Sequence, residues 1–177
     1  MGGNIENRDR IEDVEIRTPR TFRGPWTEAH DLAMAECEPV FVPVMPFADD
    51  RGWSLMNLLA GAMSDQGQIN FSIQYPGVIK AWHRHDHQTD FWICLVGHLK
   101  TGVYREDDNI AWQLVIGEQH PGVLVIPSPL WHGATCVGPT SAGLLYYVSR
   151  IYDHDQPDEH RRAWDSVEGF PWELQHG

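Results

Sequence analysis

The densest chemistry in this 177-residue chain lies in one short run, Trp82-His83-Arg84-His85-Asp86-His87-Gln88-Thr89-Asp90. If residue 78 onward is a strand, His83 and His85 project from one face, because side chains repeat every two residues. Two imidazoles on one face can share a metal ion without distorting the backbone. A third, His132, lies in Pro127-Ser128-Pro129-Leu130-Trp131-His132-Gly133, just after the apolar run 123–126. Asp90 opens the next apolar run and offers a carboxylate oxygen. Three imidazoles and a carboxylate suit Fe, Mn, Ni, Cu or Zn, and they leave positions open for a substrate. His87 is expected to point off the turn into solvent. A lone His-x-His pair is often surface decoration, so the case for a metal rests on the spacing of the whole set.

Such residues need a scaffold, and the chain from Glu38 onward has the texture of strands. Runs rich in Val, Ile, Phe, Tyr and Trp fall at 40–45, 69–73, 78–82, 91–96, 101–105, 111–116, 123–126 and 144–149, between Gly, Pro, Asp and Asn. Each has strand length rather than helix length. Runs at this regular spacing, with little helical period between them, predict an all-β sandwich or barrel of jelly-roll type. Residues 1–37 read as a polar N-terminal arm with a short helix over 28–36 that Thr27 could cap. Residues 38–177 read as the barrel domain, with a second short helix near 157–164.

Apolar residues make up 42% of the chain and aromatics 11%, as in a folded globular protein. A formal charge of −12 with no basic stripe excludes a nucleic-acid partner, which needs a row of cations against its phosphates. One or two local Arg or Lys residues would still suffice for a nucleotide or sugar phosphate. No apolar run approaches the roughly 20 residues that a bilayer crossing needs, so no membrane association is expected. Cys37, Cys94 and Cys136 are odd in number, widely spaced and without a Cys-x-x-Cys pair. They predict a reducing, cytoplasmic setting rather than a disulfide framework.

Two stretches carry a family resemblance. Gly77-x5-His83-x-His85-x4-Asp90-x6-Gly97 resembles the first cupin motif, with Asp where that family usually has Glu. Gly122-x4-Pro127-x-Pro129-x2-His132 resembles the second, one residue short and with Pro for the usual Gly. The resemblance implies a cupin β-barrel in which His83, His85, Asp90 and His132 coordinate a divalent ion (Fe, Mn, Zn or Ni).

Over roughly residues 41–172 the chain is also similar to the dTDP-4-dehydrorhamnose 3,5-epimerases, a cupin branch acting on nucleotide-linked keto sugars. The segment Asp50-Arg51-Gly52, the strand Gln68-Ile69-Asn70-Phe71-Ser72, and Gly77-Val78-Ile79-Lys80-Ala81-Trp82-His83 carry this likeness. So do the turn from Pro127 to His132-Gly133, the six-residue spacing of Tyr146 and Tyr152, and Trp164-Asp165. It implies that His83, oriented by Asp165, removes a proton beside a ketone and that Tyr152 returns one from the opposite face. Physically this is reasonable, because a carboxylate behind an imidazole fixes its tautomer and stabilises the imidazolium. It further implies that Arg51 and Lys80 hold a diphosphate, that Gln68, Asn70 and Tyr146 contact sugar or base, and that the chain forms a homodimer. One of the adjacent Tyr146 and Tyr147 is expected to be plain core with a satisfied hydroxyl.

Two departures from the epimerases agree with each other. His85 stands where they have Gln, and Asp90 where they have a Lys that faces the developing oxyanion. Losing that Lys weakens unassisted proton abstraction, yet both changes restore metal ligands, and a divalent cation can act as the missing Lewis acid. The leading expectation is therefore a metal-binding isomerase or epimerase acting beside a carbonyl of a sugar or nucleotide sugar. The alternatives are a mononuclear-metal cupin dioxygenase and a non-catalytic sugar-binding cupin.

Overall fold

Strands with apolar side chains at successive positions bury both faces, so each sheet needs cover on two sides. A computed structural model, which describes residues 13–174, shows how that cover is provided. The chain begins with β1 (Glu15–Arg17), β2 (Arg20–Thr21), α1 (Trp26–Glu36), β3 (Val40–Pro43), β4 (Phe47–Asp49) and β5 (Gly52–Ser54). It continues with β6 (Gln68–Gln74), β7 (Ile79–Arg84), β8 (Asp90–Val96), β9 (His98–Arg105) and β10 (Ile110–Gly117). The last elements are β11 (Gly122–Ile126), β12 (Trp131–Val137), β13 (Ala142–Val148) and β14 (His160–Arg161).

Two six-stranded sheets result, ordered β1-β10-β9-β12-β7-β14 and β2-β3-β11-β8-β13-β6, while β4 and β5 form a separate hairpin. Alternation along each strand sorts the residues into layers. Phe41, Trp92, Leu124 and Ile126 of the second sheet face Leu99, Val103, Trp112 and Ala134 of the first. On the second sheet's outer face, Val40, Val42, Phe91, Ile93, Val123 and Val125 lie under Ala29 and Ala33 of α1. On the first sheet's outer face, Trp82, Tyr104 and Trp131 pack against Val167, Phe170 and Trp172 of the C-terminal segment. The fold is the expected jelly roll.

All eight expected runs are strands, with ends shifted by a few residues. β12 was not expected, because Trp131-His132-Gly133-Ala134-Thr135 lacks a dense apolar run; pairing with both β9 and β7 makes it a strand. The arm also contributes β1 and β2, which add parallel to β10 and β3; its first twelve residues lie outside the described ones. Helix α1 starts at Trp26 with Pro25 at its N-cap, so Thr27 is inside the helix and caps nothing. The helix expected near 157–164 is instead the short strand β14, drawn onto the open edge of β7. Trp82 and Arg162 exchange backbone hydrogen bonds there, both at 3.1 Å. Among the described residues, no helix is long and apolar enough to cross a membrane.

Trp82 anchors the C-terminal segment to the first sheet. It is buried, with ring centroids 5.0 Å from Phe170 and 4.9 Å from Trp172, and its indole N–H donates to the Trp164 carbonyl at 2.9 Å. Trp82→Ala is expected to cost about 3–5 kcal/mol of unfolding free energy, from lost burial and the cavity left behind. Urea denaturation of the variant against the parent checks this.

Candidate active site

The outward Trp82 and inward His83 follow from the strand period, as do the outward Trp131 and inward His132. Pairing of β12 with β7 sets His132 opposite His83, with ring centroids 4.2 Å apart. His85 lies just past the end of β7, and Asp90 is the first residue of β8. The candidate ligand atoms of His83, His85, Asp90 and His132 all lie within 4.8 Å of one another.

The hydrogen bonds around this cluster fix the protons. His132 Nδ1 lies 2.9 Å from the Leu130 carbonyl, and His85 Nδ1 bonds the Asp158 carbonyl. A carbonyl only accepts, so both rings carry a proton on Nδ1, which leaves Nε2 as the atom of each ring that can hold a cation. Those Nε2 atoms face Asp90, at 3.5 Å from His132 and 3.9 Å from His85. His132 Nε2 is buried and makes no hydrogen bond. Lone pairs of imidazole and carboxylate repel unless a cation stands among them, either a proton or a metal ion. Backbone carbonyls that orient ligating imidazoles are the usual outer support of metal sites. The residues present fit a divalent cation.

Asp90 is itself pinned: Gln88 Nε2 donates to Oδ1 at 2.6 Å and Trp92 Nε1 to Oδ2 at 3.1 Å. Burial alone would raise its carboxyl, but Gln88, together with His132 and His85 when each carries a proton on Nε2, outweighs burial and holds it below the ordinary carboxylate range, so a cation at this position is what the carboxylate favours. Burial, reinforced by His132, pushes His83 well below the usual histidine value, so this imidazole stays neutral near pH ~7.

A cavity of about 770 Å³ is lined by His83, His85 and Asp90, with His132 buried beside them. Its walls include the inner row of β6 (Gln68, Asn70, Ser72, Gln74), Lys80, Trp92, Tyr146 and Tyr152. Gln68, Asn70, Lys80, Tyr146 and Tyr152 are thus brought together as the sequence implied. Tyr147 is the core tyrosine: it is buried on the other face, and its hydroxyl accepts from Ser64 N at 2.9 Å. Arg51 is not on the cavity wall; it sits on the β4–β5 hairpin, 82% exposed and paired with Asp49. Asp165 is not there either. Trp164 offers its carbonyl to the indoles of Trp82 and Trp172, which carries the next residue to an exposed position outside the barrel. The carboxylate acting on His83 is instead Asp90.

Sequence reasoning missed several functional positions. Gln88 and Trp92 flank Asp90 at two residues on either side, which the strand period could have indicated. Glu159 and Arg161 also line the cavity, and Asp158 holds His85. These three are more than 70 residues from the histidine pair and have no local signal.

Residues 47–160, which include the four-residue cluster and most of the cavity wall, match the family described as the Polysaccharide biosynthesis C-terminal domain. The chain belongs to that family. It is also similar to the spore coat polysaccharide biosynthesis protein SpsL of Bacillus subtilis. The two are 36% identical over 140 residues, which is 75% of this chain and 93% of that protein. A probable low-salt glycan biosynthesis epimerase of Haloferax volcanii is 40% identical over 101 residues, covering 54% of this chain and 65% of that one. Among solved structures, the dTDP sugar isomerase of Desulfovibrio desulfuricans shares the fold with a TM-score of 0.66 and 24% identity. That likeness covers 76% of this chain and 90% of the isomerase. This family member therefore shares its jelly-roll fold with that isomerase.

Proposed function

We propose that this chain is an isomerase or epimerase that moves a proton beside a carbonyl of a sugar or nucleotide sugar, at a divalent metal held by His83, His85, Asp90 and His132. The observation that carries this reading is the convergence of imidazole Nε2 atoms on Asp90 beside a sugar-sized cavity. Its relatives support the chemistry class, one being named a probable glycan biosynthesis epimerase and another a dTDP sugar isomerase.

A bound divalent cation supplies Lewis-acid polarisation of a carbonyl oxygen, the role a basic side chain would otherwise fill. The chain's own residues do the rest. The β6 row of Gln68, Asn70, Ser72 and Gln74 offers amides and hydroxyls to sugar hydroxyls. Lys80 and Arg161 put cations on the cavity wall, where a diphosphate would lie. With His83 in the ligand set and Asp165 outside the cavity, Tyr152 keeps the donor role the resemblance gave it: its phenol would hand a proton to the carbanion carbon from its own face and recover one from solvent, the carbon's original proton leaving from the opposite face. Its backbone N–H donates to Gln68 Oε1 at 2.9 Å, and its ring meets His154 edge-on at 4.8 Å, so the phenol is held at the mouth. Tyr146 keeps its own proton, because burial and the nearby Asp90 raise its pKa, and it serves as a hydrogen-bond donor.

The test is solvent-deuterium exchange into a dTDP-linked keto sugar. Exchange is expected with metal-loaded protein and should be lost after chelation; equal exchange in stripped protein would favour His83 as an unassisted base.

A homodimer belongs to the same proposal. The hairpin β4–β5 exposes Phe47 and Trp53, and the edge strand β6 exposes Ile69, Phe71 and Ile73. A lone hairpin is marginal in water and an apolar edge strand invites pairing, so a second copy would cover both surfaces reciprocally. Because the inner face of β6 lines the cavity, that packing would bring Arg51 towards the partner's site. Phe71→Asp is expected to convert the dimer to monomer, read by light scattering behind size exclusion.

A further inference from the structure

Asp158 makes three consecutive contacts with the turn that carries His85. Its carbonyl accepts from His85 Nδ1, and its two carboxylate oxygens accept the backbone N–H groups of Asp86 at 2.7 Å and His87 at 3.0 Å. The turn between β7 and β8 has no strand partner there, so these bonds hold it across a sequence separation of more than 70 residues. Asp158 is half-buried and absent from the cavity wall, whereas Glu159 and Arg161 line it. The peptide unit that accepts the hydrogen bond from His85 therefore leads directly into the segment lining the cavity. His160, paired with Asp86 at 2.8 Å, ties the same segment to the same turn from the solvent side.

We propose that Asp158 is a positioning residue: it fixes the tautomer and aim of His85 and couples the wall segment 159–161 to the histidine cluster. A ring free to take its other tautomer would present N–H, not a lone pair, towards Asp90. Outer partners of this kind typically change metal affinity by roughly 10- to 100-fold when removed. The metal consequence rests on the reading given under Proposed function; the tautomer consequence does not.

The test compares Asp158→Ala and Asp158→Asn with the parent by ring-nitrogen NMR on chelator-treated protein and by cobalt(II) titration with its absorption spectrum. In the parent, His85 is expected as a single Nδ1–H tautomer. Asp158→Ala keeps the backbone carbonyl but removes both carboxylate bonds that hold the turn against it, so His85 should become a mixture, with cobalt affinity weakened roughly 10- to 100-fold. Asp158→Asn keeps one acceptor oxygen and should fall between; it also carries the test if the alanine variant does not fold. An unchanged tautomer in variants that only melt lower overturns the proposal, as does a parent His85 protonated on Nε2. A parent that shows the expected tautomer but binds no cobalt upholds the positioning role and sinks the metal reading alone.

Discussion

Replacing His85 by Gln is expected to abolish metal binding while leaving the jelly roll folded. The substitution removes one of two nitrogens whose lone pairs face Asp90, and a neutral carboxamide oxygen is a poor replacement for imidazole. Loss of a direct ligand should weaken affinity by at least the roughly 100-fold seen for outer-partner changes. His85 lies beyond the end of β7, outside the ladder that joins β7 to β12, so the sheets do not depend on it. A Gln amide can still donate to the Asp158 carbonyl, so stability without metal should change by less than about 1 kcal/mol. Cobalt(II) titration and circular dichroism read the two halves. Retention of parental affinity would remove His85 from the ligand set.

Tyr152→Phe is the second large effect, and it acts on a different step. The ring stays in contact with His154, and the hydrogen bond from residue 152 to Gln68 uses the backbone, so the position should be preserved. Only the hydroxyl goes. A positioned proton donor contributes about 10²- to 10⁴-fold, so deuterium exchange into a keto-sugar nucleotide should slow by that factor. Metal affinity should stay at the parental value. Parental exchange in the variant would move the proton to another group, Tyr146 or His83.

These two variants separate roles that the sequence assigned to one residue. His83 resembles both a cupin ligand and an epimerase base, and nothing in its neighbourhood along the chain decides between them. The structure weighs on the choice through Asp165, whose exposed position leaves Asp90, itself one of the candidate ligands, as the carboxylate acting on His83. That outcome depends on where the chain goes after β14, which is set by the Trp82, Phe170 and Trp172 cluster on the outer face. Indole N–H groups bonding to a carbonyl across the sheet leave no mark in local sequence.

What was legible followed the strand period. His83 and His132 face inward because their Trp neighbours, Trp82 and Trp131, face outward, and the β6 row of polar residues alternates with Ile69, Phe71 and Ile73. The hidden parts are those made by long-range contact. Asp158 reaches the histidine turn from more than 70 residues away, and Arg161 enters the cavity wall through pairing with His83 across β14 and β7. β12 was missed although it carries His132, because its strand character comes from neighbours on both sides and not from its own composition.

The central claim is that His83, His85, Asp90 and His132 hold a divalent metal. Its most direct test is elemental analysis of protein purified without added metal, paired with thermal unfolding before and after metal addition. One equivalent per chain is expected. At a metal concentration about 1,000 times Kd, the bound ion should stabilise the fold by about 4 kcal/mol. For a chain of this size that is a rise in Tm of roughly 8–16 °C. If no metal copurifies, and Fe, Mn, Zn and Ni each leave Tm unchanged, the four residues do not form a metal site.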